Sequence, residues 1–410
     1  MSPARATDTE PAADGTPRPR RALADRLQAA GIERRAFLKY CSVLTGILAL
    51  PPAFAPRIAE ALTADDRPAL VWLEFQDCAG DTESFLRARD PSVAEIIFDV
   101  LSVDYHETLM AAAGSQAEEA REAAVEQGGH ILVVEGSVPL GAGGVYCTIG
   151  GRTAEQILKA SAQNAAAVIN VGTCSAYGGL PAAAPNPTGA VGVEDVIEGV
   201  PVLNLPGCPM NVDNLTAAVA HYLTFKELPA RDDLGRPLFA YGDRIHDICP
   251  RRGYFDAGQF AVEWGDEGHR KGWCLYRLGC KGPRTFHNCP VIQWNGTTNW
   301  PIGAGHGCLG CSEPDFWDEL SPFYRRLPRQ AGAGADANTE KNGLVAVGAS
   351  AAPFAAQRVG KVVQRRIATR PPAAAEPEPP SPRAAECTEW ATPAPAGSSD
   401  GRTPTKGAAP

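Results

Sequence analysis

A run of about twenty apolar residues, the length a helix needs to cross a bilayer, is missing from this 410-residue sequence. The nearest approaches, Tyr40 to Ala55 and Leu344 to Ala356, are short and are interrupted by Pro51, Pro52 and Pro353. Any membrane contact is therefore expected to come through a separate subunit. Also missing is a concentrated basic face in the folded region. With a net charge of -9 and a pI near 5.4, the chain lacks the footprint that binding to nucleic acid requires. What is present in excess is sulfur. A chain of this length with 44% hydrophobic content buries a core without a disulfide framework, so its 12 cysteines need another explanation.

The N-terminus through about Arg21 is rich in Pro, Ala, Thr and Arg, has no apolar periodicity and reads as disordered. Arg34-Arg35-Ala36-Phe37-Leu38-Lys39 then precedes the apolar stretch from Tyr40 to Ala55. Together they form a twin-arginine export signal, with Glu33 where Ser or Thr is usual. The alternative is a basic amphipathic arm. Ala59-Glu60-Ala61 offers a small-x-small cleavage site. That export route carries folded proteins, so a cysteine-rich chain using it takes up metal before it meets an oxidising compartment. From about Gln330 the tail is rich in Ala, Pro and Gly, and reads as disordered.

Between these ends two textures alternate. From residue 65 to 235, short apolar runs (Ala69 to Phe75, His130 to Val134, Ala167 to Val171, Pro201 to Leu205) alternate with helical spacing (Asp90 to Ser102, Gln116 to Gln127, Thr153 to Ala165, Asn214 to Phe225). The pattern predicts an α/β fold with a flavodoxin-like, doubly wound parallel sheet. Cys78, Cys174 and Cys208 each follow one of the strands. Residues placed just past parallel strands converge on one edge of the sheet. Gly80, Gly172 and Gly207 allow the backbone to approach a bulky inorganic group there. Three unrelated buried cysteines are the plainer alternative.

From residue 236 to 328 the alternation stops, and the chain becomes rich in Gly, Pro, Trp and Cys, which predicts a smaller irregular domain ordered by metal. Six cysteines and His246 lie between residues 246 and 311. One closed zinc site would use four donors and leave three thiolates over, whereas a cuboidal iron-sulfur cluster lacking one iron needs only three. Disulfides suit an exported chain but leave the spacing of His246 and Cys249 unexplained.

The phrases "VEGSVP", "GTCSAYGG", "PNPTGA", "NLPGCP", "CLYRLGCKGP", "NCP", "AGHGCLGC" and "EPDFWD" resemble the small, iron-sulfur subunit of nickel-iron hydrogenases, from about Pro68 to Arg326. The resemblance implies three clusters in a line. The proximal 4Fe-4S cluster would be held by Cys78, Cys174 and Cys208, with Asp81 where the family has a fourth cysteine. His246, Cys249, Cys274 and Cys280 match the distal 4Fe-4S ligands. Cys289, Cys308 and Cys311 match the ligands of the medial 3Fe-4S cluster, with Pro301 near the vacant fourth position. Oxygen-tolerant members carry two further cysteines where this chain has Gly80 and Gly179.

Asp81 is thus a carboxylate ligand that keeps the charge of a thiolate, or a cap for the helix starting near Thr82. Glu83 is likewise open between a macrodipole partner and a proton-path group. Cys41, Cys147 and Cys387 are left over: the first would leave with the signal, the second is a structural thiol and the third lies in the tail. The resemblance also implies a catalytic partner, the large subunit that splits H2, and a cytochrome or other membrane acceptor reached through an exposed His246. The location would be the periplasm or the outer face of the cytoplasmic membrane. A stand-alone electron carrier is the competing class, distinguished by its needing no partner. A zinc-stapled secreted protein would be colourless and free of iron.

Overall fold

The structure, a computed structural model, describes residues 34–64, 68–88 and 102–327. The expected helix at Asp90 to Ser102, the first part of the N-terminal arm, the tail and Cys387 lie outside the described residues, apart from Ser102 itself.

Five strands form the central sheet: β1 (Ala69–Glu74), β2 (Ser102–His106), β3 (Ile131–Glu135), β4 (Ala167–Val171) and β5 (Val202–Leu205). They are all parallel, in the order β2-β1-β3-β4-β5, the flavodoxin-like order. Alternate residues point to opposite faces of a strand, and both faces here are buried. Leu70, Trp72, Ile131, Val133, Ile169 and Leu203 join one core. Their neighbours Val71, Leu73, Leu132, Val134, Val168 and Val202 join the other. Near-continuous apolar strands are what a doubly covered parallel sheet demands.

Helices α1 (Arg34–Ile47), α2 (Ala55–Leu62), α3 (Gly80–Phe85), α4 (Ser115–Gln127), α5 (Ala154–Ser161), α6 (Gly172–Tyr177) and α7 (Val212–Phe225) supply the cover. Ala117 and Ala124 of α4 and Ile157 and Leu158 of α5 lie in the second core. Leu215, Val219 and Leu223 of α7 lie in the first. The Thr153 hydroxyl accepts a bond from the Gln156 amide, while the Gln156 side chain accepts one from the Thr153 amide. This capping box starts α5 one residue after the expected start.

Residues 34–62, where the sequence carries the export-signal motif, are folded onto the sheet region. Phe37, Tyr40, Cys41, Leu44 and Leu48 of the first helix and its turn, with Ile58, Ala59 and Leu62 of α2, are buried in the same core as α7. Phe54 meets Phe225 with ring centroids 5.7 Å apart, and Arg57 lies over both rings. The apolar run that reads as a signal is amphipathic enough to fold against the protein that carries it.

Past residue 237 helices shorten to single turns, such as Ile245–Ile248 and Cys289–Ile292. The interior there mixes Ile245, Leu275, Leu278, Trp300 and Ile302 with Cys280, Cys289 and Cys308. Arg236 fastens this region to the sheet, donating to Asp232 at 2.8 Å, Glu313 at 3.1 Å and the Ser312 carbonyl at 3.2 Å. Among the described residues no helix is long and apolar enough to cross a membrane.

Candidate metal centre

The carboxyl edge of the sheet brings together Cys78 after β1, Cys174 in α6 after β4, and Cys208 after β5. Burial pushes the thiols of Cys174 and Cys208 up to about 12, with further upward effects from Asp81 and the neighbouring sulfurs. Asp81 joins them from α3. It is only 8% exposed, and its Oδ1 accepts the Met210 amide at 2.5 Å. Gly172, at φ +81°, gives the carboxylate its room, because a Cβ there would overlap Asp81 Oδ2.

Asp81 does not cap α3. The residue before the helix is Ala79, and no side chain caps it in the usual way. Glu135, at the end of β3, accepts the Asp81 amide at 2.9 Å and the Thr82 amide at 3.0 Å. A carboxylate at a helix N-terminus satisfies the free amides and faces the positive end of the dipole. The Asp81 carboxylate takes no part in that cap, and one of its oxygens accepts the Met210 amide instead.

Behind this edge lies a buried carboxylate pair that sequence reasoning missed. The Thr82 hydroxyl is 2.6 Å from Glu135 Oε2 and 2.7 Å from Glu74 Oε1. A hydroxyl has one proton to give, so with both contacts made one carboxyl must donate in return. Glu135 also accepts from Trp72 Nε1 at 3.2 Å, and burial raises the pKa of Glu74. Burial likewise lifts Glu107, whose Oε1 accepts the Glu74 amide, to about 7. Glu83, by contrast, is 63% exposed and pairs with Arg87 at 3.4 Å, outside this buried set. The signal for Glu135 was an acid closing an apolar strand in "VEGSVP".

In the second region Cys289, Cys308 and Cys311 line one cavity of about 370 Å³, together with Cys208, His287 and Pro301. A narrower cavity is lined by His246, Cys249, Cys274 and Cys280. Contrary to expectation His246 is 7% exposed, because its ring packs edge-on against Phe255 at 4.5 Å. Its Nε2 is buried without a hydrogen-bond partner, and burial lowers its pKa to about 4. A neutral imidazole with a free buried nitrogen is a metal ligand in waiting.

The donor groups adjoin one another: Cys208 lines the same cavity as Cys289, Cys308 and Cys311, and the Cys308 amide donates to Cys280 Sγ at 3.3 Å. The donor set fits iron-sulfur clusters. A buried thiolate is costly alone and is stabilised when a metal takes up its charge. All eleven described cysteines are free thiols, so the disulfide alternative has no counterpart among them. Nor do three or more His, Cys, Asp or Glu side chains among the described residues close on a single ion, as structural zinc would require. Cys147 packs against the second core. Gly80 and Gly179 abut ligand-position sulfurs: a Cβ would lie 3.1 Å from Cys78 Sγ at the first and 2.5 Å from Cys174 Sγ at the second.

Residues 241–324 match the family model of the C-terminal region of the NiFe/NiFeSe hydrogenase small subunit. Residues 78–222 match that of the NADH ubiquinone oxidoreductase, 20 Kd subunit. The quinone-reactive Ni/Fe-hydrogenase small chain of Wolinella succinogenes is 46% identical over 343 residues, 81% of this chain and 97% of that one. The chain belongs to the nickel-iron hydrogenase small subunits. The periplasmic [NiFe] hydrogenase small subunit 1 of Nitratidesulfovibrio vulgaris is 49% identical over 303 residues, covering 73% of this hydrogenase chain and 95% of its own length. The reduced nickel-iron-selenium hydrogenase of Desulfomicrobium baculatum superposes with a TM-score of 0.60 at 35% identity, covering 64% of this chain and 100% of that one. As a hydrogenase small subunit, the protein works as one half of a heterodimer with a large subunit.

Proposed function

We propose that this protein carries electrons released from H2 by the large subunit through three iron-sulfur clusters to a respiratory acceptor. The proximal 4Fe-4S cluster takes Cys78, Asp81, Cys174 and Cys208. The medial 3Fe-4S cluster takes Cys289, Cys308 and Cys311, and the distal 4Fe-4S cluster takes His246, Cys249, Cys274 and Cys280. The sheet region, residues 65–235, and the region 236–328 act as the two domains that hold them. The twin-arginine signal sends the folded chain to the periplasm or the outer face of the membrane, where a cytochrome or similar membrane partner accepts the electrons.

The observation that carries this reading is the adjacency of the donor groups: Cys208 shares a cavity with Cys289, Cys308 and Cys311, and the Cys308 amide bonds to Cys280 Sγ at 3.3 Å, so the groups lie in series. When bound, the clusters supply one-electron carriers whose potentials follow their ligands and hydrogen bonds. The chain's own residues do the rest. Thiols and His246 hold the groups, the medial and distal ones in cavities of the second region, and Asp81 offers a harder oxygen with a thiolate's charge. The Met210 amide fixes one Asp81 oxygen and leaves the other beside Gly172. Glu74 and Glu135 meet at the Thr82 hydroxyl, one residue along the chain from that ligand.

Metal analysis and low-temperature EPR on the heterodimer test the proposal, with wild type set beside Asp81→Cys. About eleven irons in the small subunit of each heterodimer, a three-iron signal when oxidised, and a proximal signal altered in the variant are expected. Zinc in place of iron would sink the relay, and an unaltered proximal signal would remove Asp81 from the ligand set.

A further inference from the structure

His287 is buried at the wall of the 370 Å³ cavity that Cys289, Cys308 and Cys311 share. Tyr241 meets its ring edge-on at 5.0 Å, and Trp294 stacks at 6.4 Å. Its Nδ1 lies 2.9 Å from the Cys289 amide nitrogen and 2.9 Å from Cys289 Sγ. A backbone amide can only donate, so Nδ1 accepts and carries no proton. The thiol proton is lost when that sulfur binds metal, but the amide bond remains and keeps the same tautomer. The ring proton is therefore on Nε2.

That Nε2 is buried and has no partner among the described residues. Tyr241 cannot serve, since its hydroxyl already donates to the Pro206 carbonyl at 2.7 Å and it meets His287 through its ring. An orphaned buried donor is costly, and a group filling the cavity can accept its proton. The tautomer also decides against His287 as a ligand, because a protonated nitrogen has no lone pair to give.

We propose that His287 is a positioning residue of the relay: its Nε2–H donates a hydrogen bond to a sulfur of the group held by Cys289, Cys308 and Cys311, and so raises that group's reduction potential. The inference rests on reading those three thiols as a cluster site. A hydrogen bond to a sulfur favours the more negative, reduced state, so electrons arriving from the sheet region find a lower-lying medial acceptor.

The test is an EPR-monitored redox titration of the three-iron signal in the purified heterodimer, in wild type, His287→Phe and His287→Gln. Iron counts and exchangeable-proton ENDOR are measured on the same samples. In the Phe variant the iron count and signal amplitude should persist while the midpoint falls and an exchangeable proton coupling disappears. In the Gln variant, which keeps an N–H, the midpoint should return toward wild type. An unchanged midpoint and coupling in the Phe variant would overturn the inference while leaving the relay intact. Absence of any three-iron signal in wild type would overturn the cluster reading itself. If the Phe variant loses iron, deuterium exchange on wild type decides, since no exchangeable coupling there refutes the hydrogen bond.

Discussion

Gly172 and Asp81 share one small volume at the end of β4. The glycine takes φ +81°, a region open to it and strained for other residues, and the carboxylate occupies the space a Cβ would need. Gly172→Ala should therefore cost about 1–3 kcal/mol in backbone strain and push Asp81 away from the neighbouring sulfurs. Urea unfolding and iron analysis check this: a lowered midpoint with fewer irons, but an intact three-iron signal, is the expected outcome. An unchanged midpoint would mean the two residues separate at no cost. The residue types at this edge were readable from sequence, because cysteine after each of three strands is a positional signal. Which atoms the carboxylates serve was not. Asp81 before Thr-Glu-Ser looks like a cap locally, and only the fold brings in Glu135, 54 residues away, to take that task.

At the scale of elements, β1, β3, β4 and β5 were legible because strands covered on both faces are near-continuous apolar runs. The second strand, Ser102–His106, carries Ser, Asp and His, pairs at the sheet edge and is only half buried, so its sequence gives no such run. The single-turn helices past residue 237 escaped for a different reason: four residues cannot show a 3.6-residue period. His246 lies on one of them, which is why its burial could not be foreseen. The carboxyl ends of the two edge-side strands also gather Glu74, Asp77, Glu107 and, from α4, Glu118 around one another. Burial, with the backbone bond from Glu74 opposing it and the other acids assisting, raises Glu107 to about 7. The folded state then binds a proton that the unfolded chain releases above a pH of about 4.3. Stability from this group is full below that pH and is lost as pH rises toward 7, by at most about 1.4 kcal/mol per pH unit. Chemical denaturation across that window, in wild type and Glu107→Gln, should show the wild type losing ground relative to the variant. A constant difference would remove Glu107 from the titration.

For the whole molecule, the N-terminal helices bear on the proposed export signal. Ile58 and Ala59 are fully buried, and the Ala59-Glu60-Ala61 segment is wound into α2. If that segment is the cleavage site of the proposed signal, α2 has to separate from α7 before a peptidase can take it in extended form. The apolar run of the proposed signal stays in the core until that step. Cys41 reports on it directly. It is 0% exposed, and burial pushes its thiol up to about 12, so in the native full chain it should alkylate at least tenfold more slowly than in urea. Leu44→Ala removes a buried side chain one turn away, a change that costs about 2–5 kcal/mol in a tight core. If the helices are truly docked, that variant should speed Cys41 labelling, read by peptide mass spectrometry, while the sheet-region thiol Cys147 labels as in wild type. Equal labelling of Cys41 in native and unfolded wild type would show these helices to be free of the fold, leaving the proposed cleavage site open from the start.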